Sequence, residues 1–221
     1  MNRVFETAAE AHHAAAELLV AAAHRGEDIA LSGGSAPGPA YELAAELEAD
    51  WSQASLWWGD ERCVPPDDER SNYRLVRETL LERLERPPRA VHRVRGELGG
   101  QAAGEEYDRL LEGVRLGLAL QGIGPDGHTA SLFPGDPVLG ERDRRAVAVQ
   151  RPDIERVTMT LPVLCAARQV VFLALGAEKA EAVAKAFGSK PDPALPASLV
   201  RSQGGETIVL LDAAAAANLD N

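Results

Sequence analysis

Short apolar runs alternate with helix-forming segments along almost the whole chain, and this alternation limits the possible folds more than any other feature. Several runs are apolar at consecutive positions, which is typical of strands covered by helices on both faces. The sequence therefore predicts an α/β fold with a mostly parallel sheet and helices on both faces. The predicted strands are Ile29–Leu31, Leu56–Trp58, Val91–Val94, Leu116–Leu120, Ala146–Gln150, Val157–Leu161, Val170–Leu175 and Thr207–Leu211.

The segments between these runs carry the usual signs of helices, namely alanine-rich stretches, polar caps and a proline in a first turn. No internal repeat or long linker interrupts the chain. We therefore expect one domain over residues 1–221. The predicted helices are Thr7–His24, Pro39–Leu47, Ser71–Leu84, Gln101–Glu112, Glu178–Phe187 and an alanine-rich tail after Leu211.

The charge balance restricts the partners of the chain. Lys and Arg total 23 and Asp and Glu total 34, so the formal net charge is −11. Such an acidic surface argues against nucleic acid and anionic membranes as partners. The first residues lack the layout of a signal peptide, and the apolar runs are far shorter than the ~20 residues of a membrane span. We expect a cytoplasmic protein.

The cysteines also favour a cytoplasmic protein. The two cysteines, Cys63 and Cys165, lie far apart, with no Cys-x-x-Cys motif and no Cys/His cluster. A structural zinc site is therefore not expected. Two free thiols fit a reducing compartment.

Ligands of parallel α/β sheets bind at the carboxyl ends of the strands, so the loops after Leu31, Trp58, Leu120 and Leu175 are the places to search. The first loop reads Ser32-Gly33-Gly34-Ser35 and precedes a helix. Backbone N–H groups and a helix N-terminus can cradle a phosphate there. The chain has no Gly-Lys pair, which excludes a Walker A loop. A tight turn with a helix cap is the alternative.

The second loop, Gly59-Asp60-Glu61-Arg62, places two carboxylates and a guanidinium directly after an apolar strand. Arg62 can clamp a phosphate or carboxylate with two parallel hydrogen bonds. Asp60 can accept from a sugar hydroxyl or orient a histidine. A solvated turn whose charges neutralise each other is the alternative.

The third loop contains the histidine best placed for chemistry. Gly122–Gly127 formally matches Gly-x-Gly-x-x-Gly, but Phe133–Pro137 interrupts the long helix that a dinucleotide site needs. His128 follows this bend, beside Asp126 and Thr129. A neutral imidazole there can take a proton from water near pH 7. A loop histidine bonded to the backbone is the alternative.

Further positive charge comes from the second half of the chain. Lys179 lies at a predicted helix start, where the helix dipole disfavours a cation unless it faces a bound anion. Arg151 and Arg156 flank the start of a strand and can add charge to a phosphate site. Solvated surface residues are the alternative for all three.

Together these segments resemble the 6-phosphogluconolactonases, in the order found in that family. The most specific stretch is Gly-Pro-Asp-Gly-His-Thr-Ala-Ser-Leu-Phe-Pro-Gly, from Gly124 to Gly135. The resemblance implies a fold like that of glucosamine-6-phosphate deaminases and ribose-5-phosphate isomerases, and hydrolysis of 6-phospho-D-glucono-1,5-lactone. It requires no metal and implies a small sugar-phosphate substrate. We also expect no cofactor, and a monomer or small homo-oligomer. The other matching segments are 32–37, 58–65, 71–74, 176–179 and 195–198.

The resemblance also implies roles for individual residues. His128 would be the general base that activates water for attack on the lactone C1, and Asp60 would help orient the site. Arg62 and Lys179 would hold the phosphate or the developing charge. Gly33, Gly34 and Ser35 would supply backbone donors. Arg156 is a further candidate for a phosphate contact because of its place at a strand start, not because of the resemblance.

Two other functions remain open. A deaminase-isomerase of the same fold usually continues its histidine loop with Phe-Asn-Glu-Pro, whereas this chain continues with Thr129–Pro134. A sugar-phosphate-sensing module needs no histidine beside Asp126 and is commonly fused to a basic DNA-binding segment, which this sequence lacks. The chain departs from the usual lactonase pattern at Leu116–Leu118, where an Asp is usual, and at Gln121, where an apolar residue is usual.

Overall fold

Seven parallel strands form the central sheet of the computed structural model, which describes residues 1–188 and 190–219. Their order is β1-β10-β9-β6-β2-β3-β5, and every neighbouring pair is parallel. The mostly parallel sheet predicted from the sequence is confirmed. The strands are β1 (Asn2–Phe5), β2 (Asp28–Leu31), β3 (Ser55–Trp58), β5 (Ala90–His92), β6 (Leu118–Gln121), β9 (Gln169–Ala174) and β10 (Glu206–Asp212).

The predicted helices between the strands are confirmed within a few residues. The hydroxyl of Thr7 accepts a hydrogen bond from the Glu10 N–H at 3.3 Å, and the Glu10 carboxylate accepts one from the Thr7 N–H at 3.0 Å. This reciprocal cap begins the longest helix. The helices are α1 (Ala8–His24), α2 (Gly38–Leu47), α3 (Asn72–Thr79), α4 (Gly100–Leu110), α5 (Leu161–Ala166), α6 (Ala180–Phe187) and α7 (Pro196–Leu199).

The central strands are buried along their length. Every residue of β3 and of β6 is buried, as are five of the six residues of β9. Successive side chains of a strand point to opposite faces, so both faces of the sheet are covered at its centre. Only the carboxyl edge of such a sheet is free for a ligand.

A second, smaller sheet lies beside this edge. Its three strands are antiparallel in the order β4-β8-β7, with β4 at Asp60–Arg62, β7 at Ala146–Val149 and β8 at Arg156–Met159. The prediction that Gly59–Arg62 is a loop was therefore wrong for its last three residues. The pairing that makes them a strand comes from β8, nearly a hundred positions along the chain, which local sequence does not reveal.

The two ends of the chain also differ from expectation. Asn2–Phe5 forms the edge strand β1, paired with β10, which the sequence analysis missed. The alanine-rich tail is not a helix, because residues 213–218 form successive turns. Two of its three backbone hydrogen bonds span only three residues, which does not build an α-helix. Among residues 1–188 and 190–219, no helix is long and apolar enough to cross a bilayer.

Candidate active site

The loops at the carboxyl edge of the central sheet enclose a cleft of about 210 Å³. It is bordered by the loops after β2, β6 and β9 and by strand β4 of the small sheet. The structure thus brings together residues that are up to 147 positions apart in the chain. All eight residues predicted for the site line this cleft: Gly33, Gly34, Ser35, Asp60, Arg62, His128, Arg156 and Lys179.

His128 is held by a tight bend in the loop after β6. The Gly124 N–H donates to the His128 carbonyl at 2.8 Å, and the Gly127 N–H donates to the Gly124 carbonyl at 2.9 Å. Gly127 adopts a φ of +82°, and a Cβ on Gly124 would collide with the imidazole. Both glycines are therefore needed for the ring to lie where it does.

Asp126 holds the His128 side chain in one orientation. His128 Nδ1 lies 2.5 Å from Asp126 Oδ1, and the His128 N–H donates to the same oxygen at 3.1 Å. Partial burial alone would raise the pKa of Asp126, but these hydrogen bonds outweigh it and lower the pKa below its ordinary value. A carboxylate beside Nδ1 keeps a proton on that nitrogen, which leaves Nε2 as the basic nitrogen.

The Phe133 ring packs against the His128 imidazole. Its ring centroid lies 4.6 Å from that of His128. The guanidinium of Arg151 lies 3.9 Å from the same ring, and that of Arg156 lies 5.4 Å from it. Of these two arginines, Arg156 lines the cleft and Arg151 stacks on Phe133 without lining it.

Asp60 is buried, lines the cleft and accepts one hydrogen bond on each carboxylate oxygen. Its Oδ2 accepts from the Ser131 hydroxyl at 2.6 Å, and its Oδ1 accepts from Asn72 Nδ2 at 3.2 Å. In the described part of the chain no hydrogen bond joins Asp60 to His128, so the carboxylate that orients the histidine is Asp126. That Asp60 accepts from a sugar hydroxyl stays a prediction.

Arg62 and Arg156 lie directly opposite each other in the β4–β8 pair. Arg62 Nη1 donates to the Arg70 carbonyl at 2.5 Å, and Arg156 Nη2 donates to Asp153 at 2.8 Å. The Nε of each arginine is buried and has no partner among the described residues. Like charges at directly opposed positions destabilise a sheet, so an anion between these cations would stabilise the arrangement.

The glycine-rich loop and Lys179 lie on the β2 and β9 sides of the cleft. The Tyr41 hydroxyl accepts from the Ser32 N–H at 3.0 Å and donates to the Ser32 carbonyl at 2.7 Å, which fixes the start of the loop. Gly34 adopts a φ of +91°. Lys179 is half-buried and directly precedes α6. The Gly176 N–H before it donates to both oxygens of Asp212 at 3.1 Å.

Asn72, Gln121 and Asp126 are polar residues of this region to which the sequence analysis assigned no role. Asn72 follows the helix cap Ser71, where a polar residue is common and gives no specific signal. Gln121 ends the apolar strand β6, is 1% exposed, and its Nε2 has no partner among the described residues. That polar end of an apolar run was the available signal.

The side chains of the site do not form a recognisable metal centre. Within residues 1–188 and 190–219, no three His, Cys, Asp or Glu side chains are grouped so that they could hold a metal ion.

Comparison with known proteins agrees with this geometry. Residues 2–209 match the family model described as glucosamine-6-phosphate isomerases/6-phosphogluconolactonase. A 6-phosphogluconolactonase of Nostoc sp. is 39% identical over 202 residues, which cover 86% of this chain and 84% of that protein. The solved structure of the devB protein superposes with a TM-score of 0.91 at 34% identity, covering 99% of both chains.

A second solved structure is that of 6-phosphogluconolactonase from Leishmania guyanensis, with a TM-score of 0.87 at 26% identity. It covers 100% of this chain and 99% of the other. Since the family model spans nearly the whole sequence, the chain belongs to the glucosamine-6-phosphate isomerase/6-phosphogluconolactonase family.

Proposed function

We propose that this chain hydrolyses 6-phospho-D-glucono-1,5-lactone to 6-phospho-D-gluconate, the second step of the oxidative pentose phosphate pathway. One observation carries the proposal. His128, which Asp126 holds in one orientation, borders the same cleft as the cations Arg62, Arg156 and Lys179. A base for water and a site for an anion are what hydrolysis of a phosphorylated lactone requires. The relatives that carry the name 6-phosphogluconolactonase support the same substrate.

His128 acts as the general base. The Asp126 carboxylate accepts a hydrogen bond from Nδ1–H, and Nε2 takes a proton from water as the water oxygen bonds to the lactone C1. The tetrahedral intermediate collapses, the bond between C1 and the ring oxygen breaks, and the imidazolium returns its proton to that oxygen. One water is consumed and the histidine is regenerated. The general base contributes on the order of 10²–10⁴ to the rate.

The cationic side of the cleft binds the substrate. Arg62, Arg156 and Lys179 hold the phosphate or the charge that develops on the C1 oxygen, because guanidinium and ammonium groups form short, strong bonds to such oxygens. The backbone N–H groups of the Gly33–Ser35 loop add donors. Asp60, already held by two donors, accepts from a sugar hydroxyl and orients the ring.

The test is a coupled assay. Glucose-6-phosphate dehydrogenase generates the lactone, and 6-phosphogluconate dehydrogenase reports the product as it forms. We expect the purified chain to raise the rate well above spontaneous hydrolysis, and a rate equal to the spontaneous one would contradict the proposal. Glucosamine 6-phosphate is the second substrate to try, and release of ammonia from it would favour the deaminase alternative.

The remaining expectations belong to the same proposal. One lactonase domain spans the chain, acts on its small-molecule substrate as a monomer or small homo-oligomer, and works in the cytoplasm. The free thiols of Cys63 and Cys165 are consistent with that reducing compartment. Size-exclusion chromatography with light scattering measures the oligomeric state directly.

A further inference from the structure

Glu61 is a buried carboxylate that the proposed reaction does not use. It lies between Asp60 and Arg62 in β4 and is 2% exposed. Asp60 and Arg62 line the cleft, and Glu61 does not. This follows from the alternation of a strand, because neighbouring side chains point to opposite faces. The residue is therefore adjacent to the chemistry in sequence but faces away from it.

Each oxygen of Glu61 accepts two hydrogen bonds. Oε1 accepts from the backbone N–H of Arg62 at 2.8 Å and of Asn72 at 2.7 Å. Oε2 accepts from the Tyr73 N–H at 2.7 Å and from the Ser71 hydroxyl at 3.1 Å. Three of the four donors belong to the cap and first turn of α3, so this carboxylate fastens the start of α3 to β4.

The start of α3 in turn holds the cleft. Asn72 Nδ2 donates to the Asp60 carbonyl at 2.8 Å and to its carboxylate at 3.2 Å. The Asn72 carboxamide also lies against Gly33, where any Cβ would collide with it. Asn72 therefore touches both β4 and the glycine-rich loop, and its own position depends on the bond from its N–H to Glu61.

The cost of burying this carboxylate is considerable. No arginine, lysine or histidine of the described residues forms an ion pair with it, and burial raises the pKa of Glu61 to about 7 even though the backbone donors oppose the rise. Its oxygens meet four donors, which suits the ionised form. Costly groups of this kind are retained where they hold a geometry that apolar residues cannot hold.

We infer that Glu61 is a positioning residue for the proposed lactone hydrolysis, holding Asp60 and Arg62 in the cleft by fastening the first turn of α3 to β4. The inference rests on the proposed function. It assigns a role to the middle residue of the Asp-Glu-Arg sequence, whose neighbours alone were candidates from the sequence.

Glu61→Gln is the direct test. In either orientation of the new amide, its NH₂ faces a backbone N–H that donated a hydrogen bond to the carboxylate. Two donors then face each other, so the first turn of α3 must move relative to β4. A displacement near 1 Å at reacting groups lowers rates by about 10²-fold, so we expect kcat at pH 7.5 to fall roughly 10- to 100-fold. The matched control is Glu27→Gln, another buried carboxylate, which is bound by Arg25 and Arg168 and does not line the cleft.

The outcomes separate the two claims. Wild-type protein without turnover would refute the proposed function, and the inference with it. Wild-type turnover together with a folded Glu61→Gln variant whose kcat stays within about twofold would overturn the inference alone. The expected pattern is a large fall in kcat for Glu61→Gln and an unchanged kcat for Glu27→Gln at a comparable loss of melting temperature.

Ser71→Ala keeps the inference testable if Glu61→Gln does not fold. It removes one of the four donors to Glu61 and the side-chain cap of α3. Thr7→Ala is the control, because it removes the equivalent cap of α1, which lies away from the cleft. We expect both variants to lose similar stability, but only Ser71→Ala to lower kcat, by about 3- to 10-fold. Equal kcat values for the two variants would overturn the inference.

Discussion

The His128 loop and strand β4 position the candidate reactive groups of the cleft in opposite ways. The loop is half-exposed and held by its own residues, because the bonds that shape it link Gly124, Asp126 and His128. Strand β4 is mostly buried, and the residues that hold Asp60 are Asn72 and Ser131, far along the chain. A catalytic group can thus be positioned by local turn chemistry or by the packing of distant segments. The two solutions should respond differently to mutation.

The largest effect is expected at the histidine itself. His128→Ala removes the proposed base, and we expect kcat to fall by about 10²–10⁴-fold with the fold intact. His13→Ala, on the exposed face of α1, is the control and should leave kcat unchanged. Initial rates in the coupled assay check this prediction, and full activity of His128→Ala would show that the base lies elsewhere.

One residue from each region tests whether local and distant support respond differently to mutation. Asp126→Asn removes the local support of His128, and we expect kcat to fall about 10- to 100-fold with little change in melting temperature, since Asp126 is exposed. Ser131→Ala leaves a buried oxygen of Asp60 without its donor. We expect a fall in kcat of about 3- to 10-fold and a loss of roughly 1–3 kcal/mol of unfolding free energy.

Calorimetry measures the melting temperatures of the two variants, and the coupled assay measures their kcat. Equal losses of melting temperature in Asp126→Asn and Ser131→Ala would remove the distinction between local and distant support.

A smaller effect is expected on the binding side. Lys179→Ala should raise KM about tenfold with kcat within about twofold, because an interaction made equally in the ground and transition states affects binding alone. Lys185→Ala serves as the control, because Lys185 is an exposed lysine on helix α6, which Lys179 directly precedes. A fall in kcat without a change in KM would instead assign Lys179 to the charge that develops at C1.

The free energy of unfolding is expected to depend on pH through Glu61 in β4. Burial raises the pKa of Glu61 from 4.5 to about 7, so the folded chain binds this proton more tightly than the unfolded chain. Its contribution to stability is full below pH 4.5 and is lost as the pH rises through 7. Between pH 4.5 and pH 8, wild type should lose on the order of 3 kcal/mol relative to Glu61→Gln.

Denaturant unfolding of the two proteins at both pH values measures this difference. A gap that stays constant with pH would show that the carboxyl ionises normally. In the His128 loop the pKa of Asp126 is lowered instead, so the pH dependence from that carboxylate has the opposite sign.

Helix starts and bends, which depend on nearby residues, were predicted correctly from the sequence. Ser71 was correctly predicted to cap a helix, and the helix predicted from Thr7 begins at Ala8, because capping links residues three positions apart. The bend before His128 was read from its glycines for the same reason. The eight candidate residues were then brought to one cleft by a general rule, which is that parallel strands end at a common edge.

Secondary structure that depends on pairing with a distant segment was not predicted from the sequence. Asp60–Arg62 is a strand only because β8 pairs with it, and Asn2–Phe5 is a strand only because β10 does. The alanine-rich tail forms turns despite its composition, since a short segment after the last strand gains little from propensity alone. Asp126 was noted beside His128, but its role in orienting the ring depends on a 2.5 Å contact that spacing alone did not show.

By itself, the sequence determined the alternation of strands and helices, the glycine-rich bends and the candidates for the base and the cationic groups. These depend on backbone preferences and on hydrogen bonds within a few residues. The tertiary structure alone decided that Arg62 lies opposite Arg156, that Asn72 and Ser131 hold Asp60, and that Glu61 is buried behind them. Those contacts join segments up to about a hundred residues apart, and only the packing of the two sheets brings them within hydrogen-bonding distance.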